Sequence, residues 1–180
     1  MSDPLKIVSI KVNDHDRQKA IVSSMTLLEF LREELNMTGT KKGCDLGECG
    51  CCSVLIDGKP MLSCLTLAMQ VSGQSVTTIE GIADGTKLHP VQDAMVKEGA
   101  IQCGYCTPGM VINGVELIEN NPNPSDDEIK VCVSATICRC TGYTKIEKAM
   151  KTAINKTKEM NSEGVRYCKR TQPVSAGGGF

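Results

Sequence analysis

From residue 6 to 13 apolar and polar residues alternate, with β-branched Ile7, Val8, Ile10 and Val12, and this period of two predicts a strand. Asn13-Asp14 is a turn signal, and residues 17–22 return as a second strand candidate. At Thr26 the period changes. Thr26-x-x-Glu29 reads as a capping box, and Leu27, Leu28, Leu31 and Leu35 follow at helical spacing, which predicts a helix. A glycine-rich loop runs from 39 to 50. Residues 53–56 and 60–64 flank Asp57-Gly58, a hairpin signature, and 75–79 is a further strand candidate.

The second half is helical in pattern. Pro90 opens a short helix with Val91, Ala94 and Met95 on one face. Thr107-Pro108 reads as an N-cap followed by Pro at the first helical position, with the helix ending near Glu119 before Asn-Asn-Pro-Asn-Pro. Ser125-x-x-Glu128 caps a third helix. Thr144-x-x-Glu147 caps a fourth, whose stripe is Ile146, Ala149, Met150, Ala153 and Ile154. The pattern predicts an α+β chain: a β-rich unit over 1–82, then a small four-helix bundle over 83–160. Residues 161–180 lose periodicity and end in Gly-Gly-Gly-Phe, which predicts a tail that is disordered or docked on a partner.

Composition narrows the chemistry. Only 3% of the 180 residues are aromatic and Trp is absent, so the core rests on aliphatic side chains, and metal ligation is one way to stabilise so small a core. The net charge of −1 gives no electrostatic footprint for nucleic acid. Charges at Asp3, Lys6, Lys11, Asp14, Asp16, Arg17 and Lys19 leave no apolar signal-peptide core, and no apolar run reaches bilayer length. A cytoplasmic location is therefore expected, where cysteines serve metals or catalysis rather than disulfides.

There are eleven cysteines. Cys44, Cys49, Cys52 and Cys64 give C-x4-C-x2-C…C, the spacing of plant-type [2Fe–2S] ferredoxins. An anionic cluster wrapped by one loop needs backbone N–H groups aimed at its sulfurs, and Gly43, Gly47 and Gly50 permit that close approach. Cys51 is adjacent to Cys52, and the spacing from Cys49 selects Cys52. A second group, Cys103-x2-Cys106 and Cys138-x-Cys140, lies at expected helix ends, where a helix N-terminus helps hold an anionic cluster. Structural zinc is the competing reading of paired cysteines, but C-x4-C-x2-C and C-x-C fit its spacing poorly.

At GCDLGECGCCSVLIDG (43–58), QCGYCTPGM (102–110) and CRCTGY (138–143) the chain resembles the small iron–sulfur subunits of the xanthine dehydrogenase/aldehyde oxidase family of molybdenum hydroxylases. That family includes the small subunits of carbon monoxide dehydrogenase and 4-hydroxybenzoyl-CoA reductase. The resemblance implies a plant-ferredoxin-like β-grasp domain followed by a helical domain. It implies two [2Fe–2S] clusters relaying single electrons between molybdopterin on a large subunit and FAD on a medium one, in a hetero-oligomer such as a dimer of heterotrimers. Gln102 and Cys140 match molybdopterin neighbours. No catalytic residue is expected on this chain.

Two departures carry expectations. The family often has Ala where Cys51 stands, so this thiol should pack away from the cluster. The family commonly reads Gly-Asn where this chain has Ala135-Thr136. If that Gly is a left-handed helix end, Ala costs about 1 kcal/mol. Cys132 reads as a buried core thiol. His15 and His89 lie outside both cysteine groups and read as structural or surface residues. Tyr105 and Tyr143 flank ligands, where they either pack or shield a cluster. The rival functions are a free-standing two-cluster ferredoxin and a zinc-stabilised interaction module.

Overall fold

The structure is a computed structural model and describes residues 4–163. It is an α+β fold built on one mixed sheet and a set of helices. Strands β1 (Lys6–Val12) and β2 (His15–Ile21) form an antiparallel pair, and Asn13 and Asp14 turn between them at positive φ. β2 thus starts two residues earlier than the sequence pattern suggests. β3 (Ser53–Ile56) and β4 (Lys59–Leu62) form the expected hairpin through Asp57 and Gly58. β5 (Ser75–Thr77) lies between β1, to which it runs parallel, and β3, to which it runs antiparallel. The order is β2-β1-β5-β3-β4. Val8, Ile10 and Val12 point inward, whereas β2 is exposed from His15 to Ala20. Its charged side chains discourage pairing with another sheet at that edge.

Helix α1 (Leu27–Glu29) has the predicted capping box, with Glu29 N–H on Thr26 Oγ1 at 3.2 Å and Thr26 N–H on Glu29 Oε2 at 2.9 Å. It does not continue as an α-helix. Phe30–Glu34 is a π-turn, closed by Leu35 N–H on Phe30 C=O. Leu27, Phe30 and Leu31 are buried, so tertiary packing sets the wider turn.

The helices of the second half are α2 (Pro90–Lys97), α3 (Thr107–Asn120), α4 (Asp126–Ser134) and α5 (Thr144–Ser162). α3 is the central element. Residues 108–115 are all buried, and the helix meets α2, α4 and α5 as well as β3 and β4. Lysines of α5 bridge outward to its neighbours: Lys148 to Glu98, Lys156 to Asp93, and Lys151 to Asp126.

Three helix ends differ from expectation. Cys106, not Thr107, is the N-cap of α3, and Thr107 is already helical. Tyr143, not Thr144, precedes α5, at φ 67 beside Gly142 at φ 64, so a left-handed turn rather than a side-chain cap starts that helix. α5 continues to Ser162, past the expected start of the tail at 161. The rest of the predicted tail, with Cys168, lies outside the described residues from 164 on. Ala135 is right-handed (φ −65, ψ −12), so the penalty expected for Ala at a left-handed position does not arise.

Two large hydrophobic cores result, with a small cluster of Leu28, Cys52 and Cys64 beside them. One lies under the sheet and α1; the other lies among the helices. Cys51 and Leu55 belong to the helical core although they sit in the first half of the chain. This interdigitation brings the two cysteine groups together. Among the described residues no helix is long and apolar enough to cross a membrane.

Candidate metal centres

The first cysteine loop is fixed at both ends. Arg32 Nη1 donates to Thr38 C=O and Thr40 C=O (3.1 and 2.8 Å), and Lys41 N–H donates to Cys51 C=O (3.2 Å). Between these anchors the chain coils through three left-handed residues, Asp45, Gly47 and Gly50. Coiling turns backbone donors inward. The N–H groups of Leu46 and Cys49 point at Cys44 Sγ (3.3 and 3.4 Å), and these donors pull its thiol down to about 7. A Cβ on Gly43 would sit 2.6 Å from Cys49 Sγ, so this position has no room for a side chain. Gly50 does something else: a Cβ there would lie 2.0 Å from the carbonyl oxygen of Ala135 in the second half. Cys52 and Cys64 are buried side by side with Leu28, and Ser63 Oγ ties them by donating to Cys52 C=O (2.7 Å). Burial, and then the neighbouring Cys52, raise the Cys64 thiol to about 11.

The second group joins two helix ends. Cys106 caps α3 and is buried, as is Cys138; Cys103 and Cys140 are exposed, with their Sγ atoms 3.5 Å apart. The left-handed Tyr143 turns back so that its hydroxyl accepts the N–H of Cys138 at 2.8 Å. Thr141 Oγ1 lies 3.2 Å from Cys138 Sγ. Burial, and then Cys138, raise the Cys106 thiol to about 12. Burial also raises Cys138, but Thr141, nearby N–H groups and Cys106 more than reverse it, and the net shift is downward. Cys140 is raised chiefly by Cys103.

Within each group the thiols gather: Cys49 N–H donates to Cys44 Sγ, Cys52 is buried with Cys64, Cys103 and Cys140 hold their Sγ atoms 3.5 Å apart, and Cys106 and Cys138 are both buried and shift each other's thiols. The donor set suits a [2Fe–2S] group, in which bridging sulfides complete a tetrahedron around each iron and two thiolates are needed per iron. Among the described residues no three His, Cys, Asp or Glu side chains converge as around a single metal ion.

Other singled-out residues fall as follows. Gln102 is exposed beside Cys103. Cys51 is buried, its thiol 3.7 Å from Cys49 C=O; burial, and then Cys49, push it up to about 12. Cys51→Ala should leave both clusters in place, as read by iron content and by EPR of the reduced protein; loss of the first cluster would show that the x2 spacing chose the wrong thiol. Cys132 is only partly buried and lines an apolar groove of about 390 Å³ between α3 and α4, rather than sitting in the core as expected. His15 is exposed, whereas His89 is buried, caps α2 by accepting Val91 N–H, and lies 3.7 Å from Glu119. Sequence reasoning missed the contacts of Thr141 and Tyr143 with Cys138, though both belong to the CRCTGY motif. It also missed the bond from Tyr105 OH to Lys42 C=O (2.6 Å), which spans the halves and has no local signal.

Comparison with known proteins agrees with this geometry. Residues 7–102 match the family described as "2Fe-2S iron-sulfur cluster binding domain", and residues 78–151 match "[2Fe-2S] binding domain". The chain is 40% identical over 151 residues to the nicotinate dehydrogenase small FeS subunit of Eubacterium barkeri, covering 83% of this chain and 96% of that one. It is 44% identical over 150 residues to a probable xanthine dehydrogenase subunit from Bacillus subtilis, covering 83% and 84%. The crystal structure of quinoline 2-oxidoreductase from Pseudomonas putida 86 superposes with a TM-score of 0.83 at 41% identity, over 91% of this chain and all of that one. With its two groups of thiols and these relatives, the chain belongs to the [2Fe–2S] electron-transfer subunits of the xanthine dehydrogenase/aldehyde oxidase family of molybdenum hydroxylases.

Proposed function

We propose that Cys44, Cys49, Cys52 and Cys64 hold one [2Fe–2S] cluster and Cys103, Cys106, Cys138 and Cys140 the other. The chain then relays single electrons between molybdopterin on a large partner subunit and FAD on a medium one. The observation that carries this reading is the gathering of the eight thiols into two groups: Cys44 under the N–H of Cys49 in the loop that also holds Cys52, itself buried with Cys64, and Cys103 with its Sγ 3.5 Å from that of Cys140, next to the buried Cys106 and Cys138. When bound, such clusters accept and release one electron at a time, which links two-electron chemistry on molybdenum and flavin.

The chain's own residues supply the holding and the tuning. Leu46 and Cys49 N–H groups donate to Cys44, and the hydroxyl of Thr141 lies beside Cys138; both stabilise negative sulfur. The buried pairs Cys52/Cys64 and Cys106/Cys138 keep water from one side of each centre. We assign residues 1–82 to a β-grasp, ferredoxin-like domain and 83–160 to a helical domain; the sheet core draws only on the first stretch and the helical core mostly on the second, with Cys51, Leu55 and Ile82 reaching across. The substrate reaction belongs to the large subunit, in a hetero-oligomer of the cytoplasm, where thiols stay reduced for metal binding.

Gln102 and Cys140 are the neighbours of the molybdopterin in this reading. Their exposure at the outer edge of the second group supports it. Gln102→Ala should slow electron delivery from molybdenum to the relay, measured by rapid-freeze EPR, while iron content stays full. Unchanged kinetics would remove the assigned role. The reading as a whole is tested by anaerobic isolation of the complex, which should give about four irons per chain and a brown-red [2Fe–2S] spectrum. A colourless zinc protein, or a chain isolated without partner subunits, would overturn it.

A further inference from the structure

Two hydrogen bonds link the segments that carry the two cysteine groups, and one of them makes a much shorter route than the other. The amide N–H of Ile137 donates to the carbonyl of Cys49 at 2.9 Å. Cys49 belongs to the first group, and Ile137 is bonded directly to Cys138 of the second. From Cys49 Sγ to Cys138 Sγ the route is covalent except for that one hydrogen bond. The alternative, Tyr105 OH on Lys42 C=O, adds the whole tyrosine side chain and the intervening residue Gly43 before Cys44.

The surroundings press this joint closed. A Cβ at Gly50 would lie 2.0 Å from Ala135 O, and one at Gly109 would lie 2.5 Å from Gly50 O and 3.3 Å from Cys51 Cα. Residues 49–51 therefore lie directly on α3 and on the segment preceding Cys138. The buried Asn113 Nδ2 donates to Thr136 Oγ1 at 3.1 Å, fixing the residue before Ile137. The Ile137 side chain is 53% exposed, so the contribution of this residue to the joint is its amide.

We propose that the hydrogen bond from Ile137 N–H to Cys49 C=O is the coupling element through which electrons cross between the two cysteine groups. The inference rests on the cluster assignment above. One electron leaves one centre, which is oxidised, and arrives at the other, which is reduced; no bond breaks and no proton moves. Ile137 is a positioning residue acting through its backbone, and its side-chain identity is immaterial to the coupling.

The test uses the purified, cluster-loaded complex. Ile137→Pro removes the donor; exchange of Ile137 for its α-hydroxy acid, which turns the amide into an ester, removes the same donor with the side chain kept. Intercluster transfer after flash or pulse reduction should slow several-fold in both, and the exchange part of the EPR spin–spin splitting should shrink. Iron content and the distance-dependent dipolar part should stay unchanged. Ile137→Val and Tyr105→Phe should transfer at the parental rate. Parental transfer in the ester variant, or equal slowing in Tyr105→Phe, would overturn the proposal. Loss of an EPR signal in Ile137→Pro alone would make the ester variant the deciding measurement. Fewer than two signals in the parent would instead defeat the cluster assignment, so the two failures are distinguishable.

Discussion

Cys106→Ser should remove one of two EPR signals from the reduced protein and leave the other, and Cys49→Ser should do the converse. Each substitution halves the iron. A serine hydroxyl is far less acidic than a thiol and is a poor ligand for iron, so one iron of the affected centre loses half its protein donors. Cys106 is buried at the N-cap of α3, where Ser keeps the helix start but cannot replace the thiolate. Its mate Cys138 would then face a hydroxyl in a buried site, and the second helix end would lose its tie to the first. Cys49 differs because it holds both a sulfur of the first group and the carbonyl that accepts Ile137 N–H. Loss of both signals with either variant would show that the two groups do not form independent centres.

Gly50→Ala should be strongly destabilising although the position supplies no thiol. The left-handed conformation, φ +69, costs a side chain roughly 1–2 kcal/mol. A Cβ would also lie 2.0 Å from a backbone oxygen, and Thr136, beside it, is held by buried Asn113. Forcing the two segments apart adds overpacking of about 1–3 kcal/mol. Gly73 offers the internal control. It has φ +83, and a Cβ there would meet nothing within 4 Å, so Gly73→Ala carries only the conformational part. Chemical denaturation of the two variants should separate the terms. Gly50→Ala should also weaken both EPR signals, because it lies between the two ligand segments. Equal stability of the two variants would show that the contact with Ala135 relaxes freely.

The capping boxes at Thr26 and Ser125 and the Asp57-Gly58 hairpin are legible in the sequence because each is fixed by residues within a few positions of one another. The starts of α3 and α5 moved by one residue because neither Cys106 nor Tyr143 acts as a side-chain cap; Tyr143 sits at positive φ with its hydroxyl on Cys138 N–H. The π-turn after Glu29 follows from burial of Phe30 and Leu31 against the sheet, which no local pattern encodes. Gly50 reads in the sequence as a glycine that lets the loop backbone approach the first cluster. Its actual neighbour, Ala135, is far along the chain, and long-range packing of that kind leaves no periodic trace.

The second cysteine group has an outer face and an inner face: Cys103 and Cys140 are exposed, Cys106 and Cys138 are not. This asymmetry sets a timetable for biogenesis. The exposed thiols Cys103 and Cys140 offer the open approach to the site, and in the proposed complex that is the side a molybdopterin-bearing subunit would cover. In the proposed assembly, loading would come before docking of that subunit, and a chain that docked while still empty would be closed on that side.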